Sequence, residues 1–315
     1  MVIYIISDGK KGHLTQTRGL ARALIARAGS LRPEATHSCH EVDVSHLGFF
    51  SKLTYKGREL DYPPADLVLC AGHGTHIPAL RVARRMHCRC MVCMKPSLPV
   101  RMFDLCIAPQ HDFPSGVEAA RLSGRVFLTN GALNSVTPQP DAEKKETLLL
   151  IGGPSKEFGW DEDHLVTQLT TIARYSTRPL VLTTSRRTPA DFVSLLATAW
   201  PSIRVEPVET TGPTWVEDHL ACAAEVWVTQ DSVSMVYEAL TSGAPVGVVE
   251  MPVHPKRAGK APSRVARGLA KLVEDGYVTT FTGWSKTRTL TPGPPLNEAN
   301  RAADYILTHF EDLLK

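Results

Sequence analysis

The sequence predicts a two-domain, doubly wound α/β protein, and three observations support this prediction. Short apolar strand patterns alternate with helical patterns of about 10–15 residues, which is typical of parallel sheets covered on both faces. The chain has 315 residues, near the upper limit for a single hydrophobic core. In its middle, "SVTPQPDAEKKE" (135–146) is rich in Pro, Asp, Glu and Lys and has no apolar periodicity, and the alternation restarts after it.

These observations place the domain boundaries. We predict an N-terminal domain over residues 1–136, a linker over 137–146 and a C-terminal domain over 147–295. Residues 296–315 form a final helical segment, whose apolar pattern runs from about Asn297 to Leu314.

The first half begins with a buried strand, "VIYIIS" (2–7), followed by a glycine-containing turn. A helix is predicted from about Leu14 to Ala28, because Leu20, Leu24 and Ala28 share one helical stripe. Further apolar runs predict strands at "CHEVDV" (39–44), "ADLVLCAG" (65–72), "CRCMVCM" (88–94), "FDLCIAP" (103–109) and "RVFLTNGAL" (125–133), and a turn and helix at "HGTHIPALRVARRM" (73–86).

The second half begins with "TLLLIGGPSKEFGW" (147–160), a strand that leads into a Gly-Gly turn. Asp161 is the predicted N-cap of the next helix, which extends to Ser176. The remaining runs predict strands at "PLVLTTS" (179–185), "SIRVEPV" (202–208), "EVWVTQ" (225–230) and "PVGVVEM" (245–251), and helices at "PADFVSLLATAW" (189–200), "WVEDHLACA" (215–223) and near 261–275.

Composition and charge exclude several classes of protein. The net charge of +3 is too small to indicate a nucleic-acid partner. The basic run at 254–271 is typical of a solvated helix face, with anionic phosphates or an acidic membrane surface as the alternative partners. Only five apolar or aromatic residues lie between Met1 and Ser7, too few for a signal-peptide core. We therefore expect a cytoplasmic location, with peripheral contact on the inner face of the membrane as a further option.

The chain has seven cysteines, and five of them lie in or beside predicted strands. Reduced thiols that act as small core residues account for this placement. The stretch "CRCMVC" (88–93) has enough thiols for a metal cluster, but no second Cys/His pair follows at the spacing of a zinc site. We therefore expect no metal and no cofactor.

The segment "VTQDSVSMVYEALTSGAPVGVVE" (228–250) places polar residues where a buried strand gives way to a helix. In a helix over 231–242, an apolar stripe packs on the sheet, and Asp231, Ser234 and Glu238 lie within about 60° of each other on the opposite side. Free backbone N–H groups with hydroxyls beside them suit a phosphate. The candidate binding residues here are Gln230, Asp231, Ser232, Ser234 and Glu238. In the alternative interpretation, Asp231 or Ser232 only caps the helix and Glu238 is solvated.

Four motifs occur in order: "SDGKKGH" (7–13), "FDLCIAPQHD" (103–112), "GGPS" (152–155) and "VTQDSVSMVYEAL" (228–240). Together they resemble the mitochondrial fission ("elongated mitochondria") family in its bacterial branch, and the resemblance covers nearly the whole chain. The last motif also resembles the donor-nucleotide half of GT-B glycosyltransferases, such as the N-acetylglucosaminyltransferase that completes the lipid-linked peptidoglycan precursor. One departure is Lys95-Pro96-Ser97, where a "D-P-R" type segment is expected.

The resemblance implies two Rossmann-like domains that face a cleft, with the final helix packing back on the N-terminal domain. It also implies that Glu238 holds ribose hydroxyls and that the helix N-terminus meets the diphosphate. Gly153, with Gly152, permits close approach of the backbone to a phosphate. Ser155 and Lys156 then serve as additional donors. Ser185, Arg186 and Arg187 follow the next strand, where they are either a diphosphate clamp or solvated.

The turn at 7–13 has neither the spacing of a P-loop nor that of a G-x-G-x-x-G motif. In the peptidoglycan enzyme a Gly-His at the equivalent turn faces the acceptor and the donor diphosphate. We therefore predict His13, with Asp8, as catalytic: a general base, or a group that stabilises the departing phosphate. The alternative is a histidine that only caps or packs. The predicted acceptor-binding residues are Gly9, Lys10, Gly12, His73 and Thr75, whereas His111-Asp112 is expected to form a structural turn.

The sequence thus predicts a metal-independent glycosyltransferase that moves a sugar from a nucleotide-sugar donor to an unknown acceptor, such as a lipid-linked or envelope glycan. Basic side chains and helix N-termini stabilise the leaving diphosphate in such enzymes. The "DED" at 161–163 is better explained as the acidic first turn of a helix. Two alternatives remain: a GT-B-like nucleotide-sugar epimerase, and a non-catalytic scaffold in membrane remodelling. An NAD-dependent epimerase is excluded, because the first turn lacks G-x-G-x-x-G and no Tyr-x-x-x-Lys pair exists.

Overall fold

The structure, a computed structural model, describes residues 1–57, 60, 63–113, 124–200 and 202–314. The chain divides into two compact units. Unit 1 comprises Met1–Ser135 and Asn297–Lys315, and unit 2 comprises Val136–Leu296. Over the described ranges each unit contains one parallel six-stranded sheet. The predicted α/β class with two doubly wound, Rossmann-like sheets is therefore confirmed.

The sheet of unit 1 has the strand order β2-β1-β3-β4-β5-β6. Its strands are β1 (Val2–Ser7), β2 (Ser38–Asp43), β3 (Leu67–Ala71), β4 (Arg89–Cys93), β5 (Leu105–Pro109) and β6 (Val126–Thr129). The helices between them are α1 (Lys11–Leu31), α2 (Phe49–Thr54) and α3 (His76–Met86). The order reverses at β1, so that β2 and β3 flank it in parallel register. The carboxyl ends of β1 and β3 therefore lie side by side.

The sheet of unit 2 has the strand order β12-β11-β10-β7-β8-β9. Its strands are β7 (Glu146–Ile151), β8 (Leu180–Thr184), β9 (Ile203–Glu206), β10 (Ala223–Thr229), β11 (Val246–Val249) and β12 (Thr279–Thr280). Its helices are α4 (Glu162–Tyr175), α5 (Ala190–Ala199), α6 (Trp215–Cys222), α7 (Val233–Thr241), α8 (Arg264–Glu274) and α9 (Phe281–Thr287). Because β10 pairs with β7 and β7 with β8, the loops after these three strands meet at one edge.

The core of unit 1 has a layer on each face of its sheet. Ile3 and Ile5 of β1 belong to the layer that includes α1 and the last helix, α10 (Glu298–His309), while Tyr4 and Ile6 belong to the layer that includes α3. Successive side chains of a strand point to opposite faces, so a strand covered on both sides must be apolar throughout. This explains the continuous apolar runs in the sequence.

The structure corrects several predicted boundaries. The first helix begins at Lys11 and not near Leu14, so His13 lies in its first turn. The helix after β10 begins at Val233, which leaves Asp231 in the preceding turn. Three short elements, α2, β12 and α9, had no counterpart in the sequence analysis. They are too short to carry a periodic pattern, and α2 has no buried residue.

The cysteines of the described strands are free thiols. Cys70, Cys90, Cys93 and Cys106 are buried, and burial raises the pKa of Cys106 to about 12. These buried cysteines are therefore core residues, and Cys106 stays a neutral thiol at neutral pH. Among the residues the structure describes, no helix has both the length and the hydropathy to span a bilayer.

The last helix is part of unit 1, where α10 packs against α1. Ile306 is fully buried in the layer beside α1. Glu298 at the start of the helix is also buried; its carboxylate accepts a hydrogen bond from the Asn130 backbone N–H at 2.8 Å. Arg301 forms an ion pair with Glu298 and donates to the Leu128 carbonyl at 2.6 Å. These contacts fix the C-terminal segment to the end of β6.

Replacing Ile306 with Ala tests this attachment. We expect a loss of about 2–5 kcal/mol in the free energy of unfolding, because the substitution leaves a cavity in a fully buried layer. The control Thr308→Ala, on the exposed side of the same helix, should change stability by less than about 0.5 kcal/mol.

The measurement is urea denaturation followed by far-UV circular dichroism and by tryptophan fluorescence. All five tryptophans lie in unit 2, so fluorescence reports on unit 2 alone. A substitution that shifted only the fluorescence transition would contradict the assignment of this helix to unit 1.

Candidate functional site

Two groups of polar residues occupy the carboxyl ends of the strands, one in each unit. In unit 1 the group follows β1 and β3, and in unit 2 it follows β7, β8 and β10. This is the edge at which open α/β sheets bind ligands.

In unit 1, Asp8 and His13 form a dyad. His13 Nδ1 lies 2.9 Å from Asp8 Oδ1 and 3.1 Å from Oδ2, and the carboxylate is almost fully buried. The Asp8 carboxylate can only accept, so Nδ1 carries the hydrogen of this bond, and in the neutral form of the ring Nε2 is the acceptor. No hydrogen bond to Nε2 is formed within the described residues. A histidine oriented by a carboxylate in this way is equipped to accept a proton.

A glycine after β3 makes room for this dyad. Gly72 has φ +89°, and a Cβ at this position would lie 2.3 Å from both Nδ1 and Cε1 of the His13 ring. Both facts require glycine here, because a side chain would be strained in the backbone and would displace the imidazole. The sequence analysis did not identify Gly72 as a site residue, since its contact with His13 exists only in the folded sheet.

The dyad changes the acidity of Asp8. Burial by itself raises the pKa of this carboxyl, but the hydrogen bond and charge of His13, with hydrogen bonds from Lys10, outweigh burial and hold the pKa below its usual value. Asp8 is therefore ionised at neutral pH. Lys10 also places its Nζ 3.3 Å from Asp8 Oδ2.

A second polar group in unit 1 joins His73, Ser97 and His76. The Ser97 hydroxyl lies 2.6 Å from His73 Nδ1 and 3.3 Å from His76 Nδ1. The pKa of His76 is lowered to about 4; burial is the main cause, the charges of His73 and His13 add to it, and the charge of Asp8 opposes it. His76 is therefore neutral at physiological pH. Ser97 belongs to the segment that departs from the family pattern, and neither it nor His76 was predicted as a site residue.

The prediction that Thr75 lines the site is wrong. Thr75 is fully buried, and its hydroxyl donates to the backbone carbonyls of Ala71 at 3.1 Å and Gly72 at 2.7 Å. It stabilises the turn after β3 and presents no group to a ligand. By contrast, Gly9, Lys10, Gly12 and His73 are exposed at the same edge.

In unit 2, the guanidinium of Arg187 joins three loops. It donates to the carbonyls of Gly153 at 2.7 Å and Pro154 at 3.1 Å, to Asp231 Oδ2 at 2.9 Å and to Ser232 Oγ at 2.9 Å. Asp231 Oδ2 also accepts from the Gly153 N–H at 2.9 Å. We call this arrangement the Arg187 junction; it fixes the loops after β7, β8 and β10 to one another.

Both glycines of the Gly-Gly turn are required by this junction. A Cβ on Gly152 would lie 2.2 Å from Asp231 Oδ2, and one on Gly153 would lie 2.2 Å from the Arg187 carbonyl oxygen. The sequence analysis attributed the glycines to close approach of a phosphate. In the structure they permit close approach of the two neighbouring loops.

The structure also changes the expected place of Asp231. It does not share an exposed helix face with Ser234, because α7 starts two residues later and the Asp231 side chain is completely buried. Its Oδ2 binds within the junction, and its Oδ1 is buried without a hydrogen-bond partner among the described residues. Asp231 therefore holds the loops in place and is not itself exposed to a ligand.

Ser232 occupies the N-cap position of α7 without capping it. Its hydroxyl donates to Asp231 at 3.2 Å and accepts from Arg187, so no side chain caps the helix. The first N–H groups of α7 therefore lack a capping side chain, and the helix dipole favours an anion at this end.

The other predicted residues of unit 2 fall into two groups. The side chains of Lys156, Arg186 and Ser234 are exposed and form no hydrogen bond or ion pair within the described part of the chain. Three others already have backbone partners: Ser155 accepts from the Phe158 N–H, Ser185 accepts from the Arg187 N–H, and Gln230 donates to the Met251 carbonyl. Glu238 is half-buried on α7.

A cavity of about 510 Å³ lies beside this edge of unit 2. Its walls come from the segments that follow β7 and β11, and its lining residues are Gly159, Trp160, Asp161, Glu162, Asp163, Pro252, Val253 and Pro255. It thus combines an aromatic ring with three carboxylates. The buried indole N–H of Trp160 has no partner among the described residues.

Comparison with protein families identifies relatives of the whole chain. The family model described as mitochondrial fission ELM1 matches residues 11–310. The uncharacterized protein RP120 of Rickettsia prowazekii is 24% identical over 352 residues, covering 97% of this chain and 98% of that protein. Mitochondrial fission protein ELM1 of Arabidopsis thaliana is 27% identical over 303 residues, covering 84% of this chain and 67% of that protein.

Comparison with solved structures confirms the GT-B fold class. A Listeria monocytogenes protein assigned as a UDP-N-acetylglucosamine 2-epimerase has a TM-score of 0.62 at 14% identity, over 99% of this chain and 97% of that chain. Staphylococcus aureus MnaA with UDP has a TM-score of 0.54 at 14% identity, over the same shares of the two chains. UDP-GlcNAc 2-epimerase of Methanocaldococcus jannaschii has a TM-score of 0.54 at 12% identity, over 98% and 100%. At these identities the similarity is one of fold.

The lowered pKa of His76 predicts that acid destabilises the protein. His76 titrates near 6.5 in the unfolded chain and near 4 in the folded one, so between these values the unfolded state binds a proton that the native state does not. Stability therefore falls as the pH drops from about 6.5 to 4, by up to about 3 kcal/mol from this group.

The difference between wild type and His76→Gln isolates this contribution. Urea denaturation at pH 7, 6, 5 and 4 should show a shallower loss of stability in the variant. The exposed control His46→Gln should follow the wild type. A His76→Gln variant with an unchanged pH slope would show that His76 does not titrate in this way.

Removing the Asp231 carboxylate should disrupt the Arg187 junction. Asp231→Ala leaves the Gly153 N–H and the guanidinium without their shared acceptor. We expect a loss of about 2–3 kcal/mol, less than for a fully buried pair, because the Arg187 side chain is 43% exposed. The measurement is urea denaturation followed by tryptophan fluorescence, with Ser234→Ala as the nearby control, expected within about 0.5 kcal/mol of wild type. Equal stabilities of the two variants would contradict the junction.

Proposed function

The chain belongs to the mitochondrial fission ELM1 family, and we propose that this member is a metal-independent GT-B glycosyltransferase. It would transfer a sugar from a nucleotide-sugar donor held by unit 2 to an acceptor held by unit 1. The observation that carries the proposal is the Arg187 junction, which occupies the Ser232 hydroxyl and so leaves the N-terminus of α7 without a side-chain cap. A helix start of this kind beside unpaired basic side chains is suited to a diphosphate.

In this proposal the donor diphosphate binds at the start of α7. Its oxygens accept hydrogen bonds from the helix N–H groups and the Ser234 hydroxyl, while Lys156 and Arg186 neutralise the charge. Both basic side chains are exposed and unpaired in the described part of the chain, so neither must break an ion pair to bind. These groups supply the charge stabilisation that a metal ion gives other transferases, and we expect no metal requirement.

Glu238 and the cavity of unit 2 account for the rest of the donor. Glu238 lies on α7 after the diphosphate end of the helix, where its carboxylate would accept hydrogen bonds from the ribose hydroxyls. The carboxylates of Asp161, Glu162 and Asp163 in the cavity would accept from sugar hydroxyls in the same way. Arg187, Asp231 and the two glycines act as positioning residues that hold these loops.

In unit 1 the Asp8–His13 dyad would activate the acceptor. His13 Nε2 takes the proton of an acceptor hydroxyl while the oxygen of that hydroxyl forms a bond to the anomeric carbon of the sugar. The bond from that carbon to the diphosphate oxygen breaks, and the nucleoside diphosphate leaves with the electron pair. Asp8 stabilises the imidazolium that forms and keeps the ring in the tautomer required.

Nucleotide-sugar epimerisation is the second candidate function. The solved structures reported above include proteins described as UDP-GlcNAc 2-epimerases, and a further one, MnaA, is a complex with UDP. Both candidates require the same nucleotide site in unit 2. They differ in whether a second substrate accepts the sugar, so they are separated by the products and not by nucleotide binding.

The donor site is tested by thermal denaturation with UDP, GDP, CMP and ADP. A nucleotide present at about 100 times its Kd should add about 2.7 kcal/mol of stability. Glu238→Ala and the double variant Lys156→Ala/Arg186→Ala should reduce the shift, since they remove the ribose acceptor and the phosphate charges. His13→Gln, in unit 1, should retain it. The absence of a shift with any of the four nucleotides would contradict the proposed donor site.

The reaction is tested with the nucleotide sugars of the base identified in this way. A glycosyltransferase releases nucleoside diphosphate in proportion to the acceptor added, and His13→Gln should lower that rate by about 10²–10⁴-fold. An epimerase instead converts the nucleotide sugar to its epimer without an acceptor. If inversion proceeds by proton removal, deuterium from heavy water enters the sugar, which nuclear magnetic resonance detects. Binding without either reaction would favour the scaffold interpretation.

A further inference from the structure

The short helix α2 of unit 1 exposes two adjacent aromatic rings. Phe49 is 70% and Phe50 is 81% exposed, the two highest values among the exposed large hydrophobic side chains of the described residues. The rings contact each other edge to face, with centroids 5.5 Å apart. Leu53, half-buried, follows at the spacing that places it on the same side of the helix. Among the described residues of unit 1, the rings of Phe49 and Phe50 remain largely uncovered.

The helix α2 has six residues and no buried side chain, so its packing within unit 1 stabilises it little. Isolated helices shorter than about 12 residues are marginal in water, and proteins usually stabilise them by packing an apolar face. Here the apolar face points away from the unit. Phe49 and Phe50 are therefore the side chains through which a membrane or a partner molecule would stabilise this helix.

Basic residues lie on α2 and on the loops next to it. Lys52 lies on α2 itself and Lys56 follows it, while Lys10 and Lys11 lie at the end of β1. These loops are neighbours: a Cβ on Gly9 would lie 3.5 Å from Ser45 Cβ, and one on Gly74 would lie 3.6 Å from Lys52 Nζ.

The two described carboxylates nearest these loops are already engaged. Asp43 accepts from the N–H and hydroxyl of Ser45, and Asp8 is bound by His13 and Lys10. The exposed rim of α2, as the structure describes it, is therefore cationic around an aromatic centre.

We propose that α2 docks unit 1 on an anionic lipid bilayer. Phe49 and Phe50 enter the boundary between headgroups and acyl chains, as aromatic residues of interfacial helices do, and the lysines contact lipid phosphates. The occupant is a bilayer because two adjacent exposed rings beside lysines complement acyl chains and anionic lipid phosphates together. The inference does not depend on the proposed activity, because membrane binding is measured without turnover.

The basic run of residues 254–271 in unit 2 is the competing membrane surface. Several of its cations already have partners: Arg257 pairs with Glu157, Arg267 donates to the Pro262 carbonyl and Lys271 pairs with Asp275. The run therefore offers fewer unpaired charges than its composition indicates. The structure favours α2, where Lys52 and Lys56 form no ion pair within the described residues and the two aromatic rings beside them are exposed.

Flotation of the full-length protein with lipid vesicles tests the proposal. The wild type should bind vesicles of 70:30 phosphatidylcholine and phosphatidylglycerol at least tenfold more tightly than vesicles of phosphatidylcholine alone. Phe49→Ser/Phe50→Ser should lose at least tenfold of the binding to anionic vesicles. Lys52→Glu/Lys56→Glu should lose a similar factor, since each lysine near an anionic surface contributes about fivefold. High salt should weaken binding of the wild type.

Two matched controls separate this surface from others. Leu31→Ser/Met102→Ser removes two apolar side chains of unit 1 that are each 50% exposed, and Lys256→Glu/Lys260→Glu reverses charge in the competing basic run. Both should bind like the wild type. Phe50→Trp keeps an aromatic ring, so it serves if the serine variant fails to fold. Its fluorescence should be quenched by brominated lipid more strongly than that of the wild type.

Three results would overturn the proposal. The first is a wild type that does not bind anionic vesicles. The second is binding that survives the phenylalanine substitutions but is lost in Lys256→Glu/Lys260→Glu, which would assign the membrane surface to unit 2. The third is a concentration-dependent dimer that the phenylalanine substitutions abolish, because the occupant would then be a second copy of the chain.

Discussion

A strand that is buried on both faces leaves no room for polar side chains along its length, and this constraint determines where chemistry occurs in both units. β1, β3 and β10 are apolar over nearly all their residues, and their polar neighbours begin where each strand ends. Asp8 follows β1, His73 follows β3 and Asp231 follows β10. The parallel register then brings these ends together at one edge of each sheet.

Glycines convert this shared edge into specific geometry. Gly72 makes room for the imidazole of His13, and Gly152 and Gly153 make room for Asp231 and for the backbone of Arg187. In each case a Cβ would lie only 2.2–2.3 Å from an atom of the neighbouring segment, which is far shorter than van der Waals contact. These glycines let the loops come into direct contact. Hydrogen bonds to the buried carboxylates of Asp8 and Asp231 then hold the loops together, so polar groups from separate parts of the sequence form one site.

The two units differ in what they leave available. In the described part of the chain, unit 1 offers a histidine oriented by a carboxylate and a helix with two exposed aromatic rings. Unit 2, over the same described residues, offers a helix N-terminus without a side-chain cap, two basic side chains without ion pairs and a cavity lined by acidic residues. This division fits an enzyme in which one unit holds a nucleotide sugar and the other an acceptor. If the acceptor is a lipid, a membrane-facing α2 would bring unit 1 to its substrate.

The sequence by itself determined the fold class, the separation into two α/β halves and the loops that carry polar residues, because apolar periodicity and glycine-rich turns are local properties. Its motifs also predicted the family and gave Asp8 and His13 as candidate catalytic residues, whereas their hydrogen bond was found only in the structure. Only the tertiary structure decided which predicted residues are accessible: Thr75 and Asp231 are buried, whereas Lys156, Arg186 and Ser234 are exposed. The structure also added residues that the sequence had not indicated: the site residues His76, Ser97 and Gly72, and the exposed pair Phe49 and Phe50. Burial and long-range hydrogen bonds depend on which loops the sheet places side by side, and this information is not contained in any short segment of the chain.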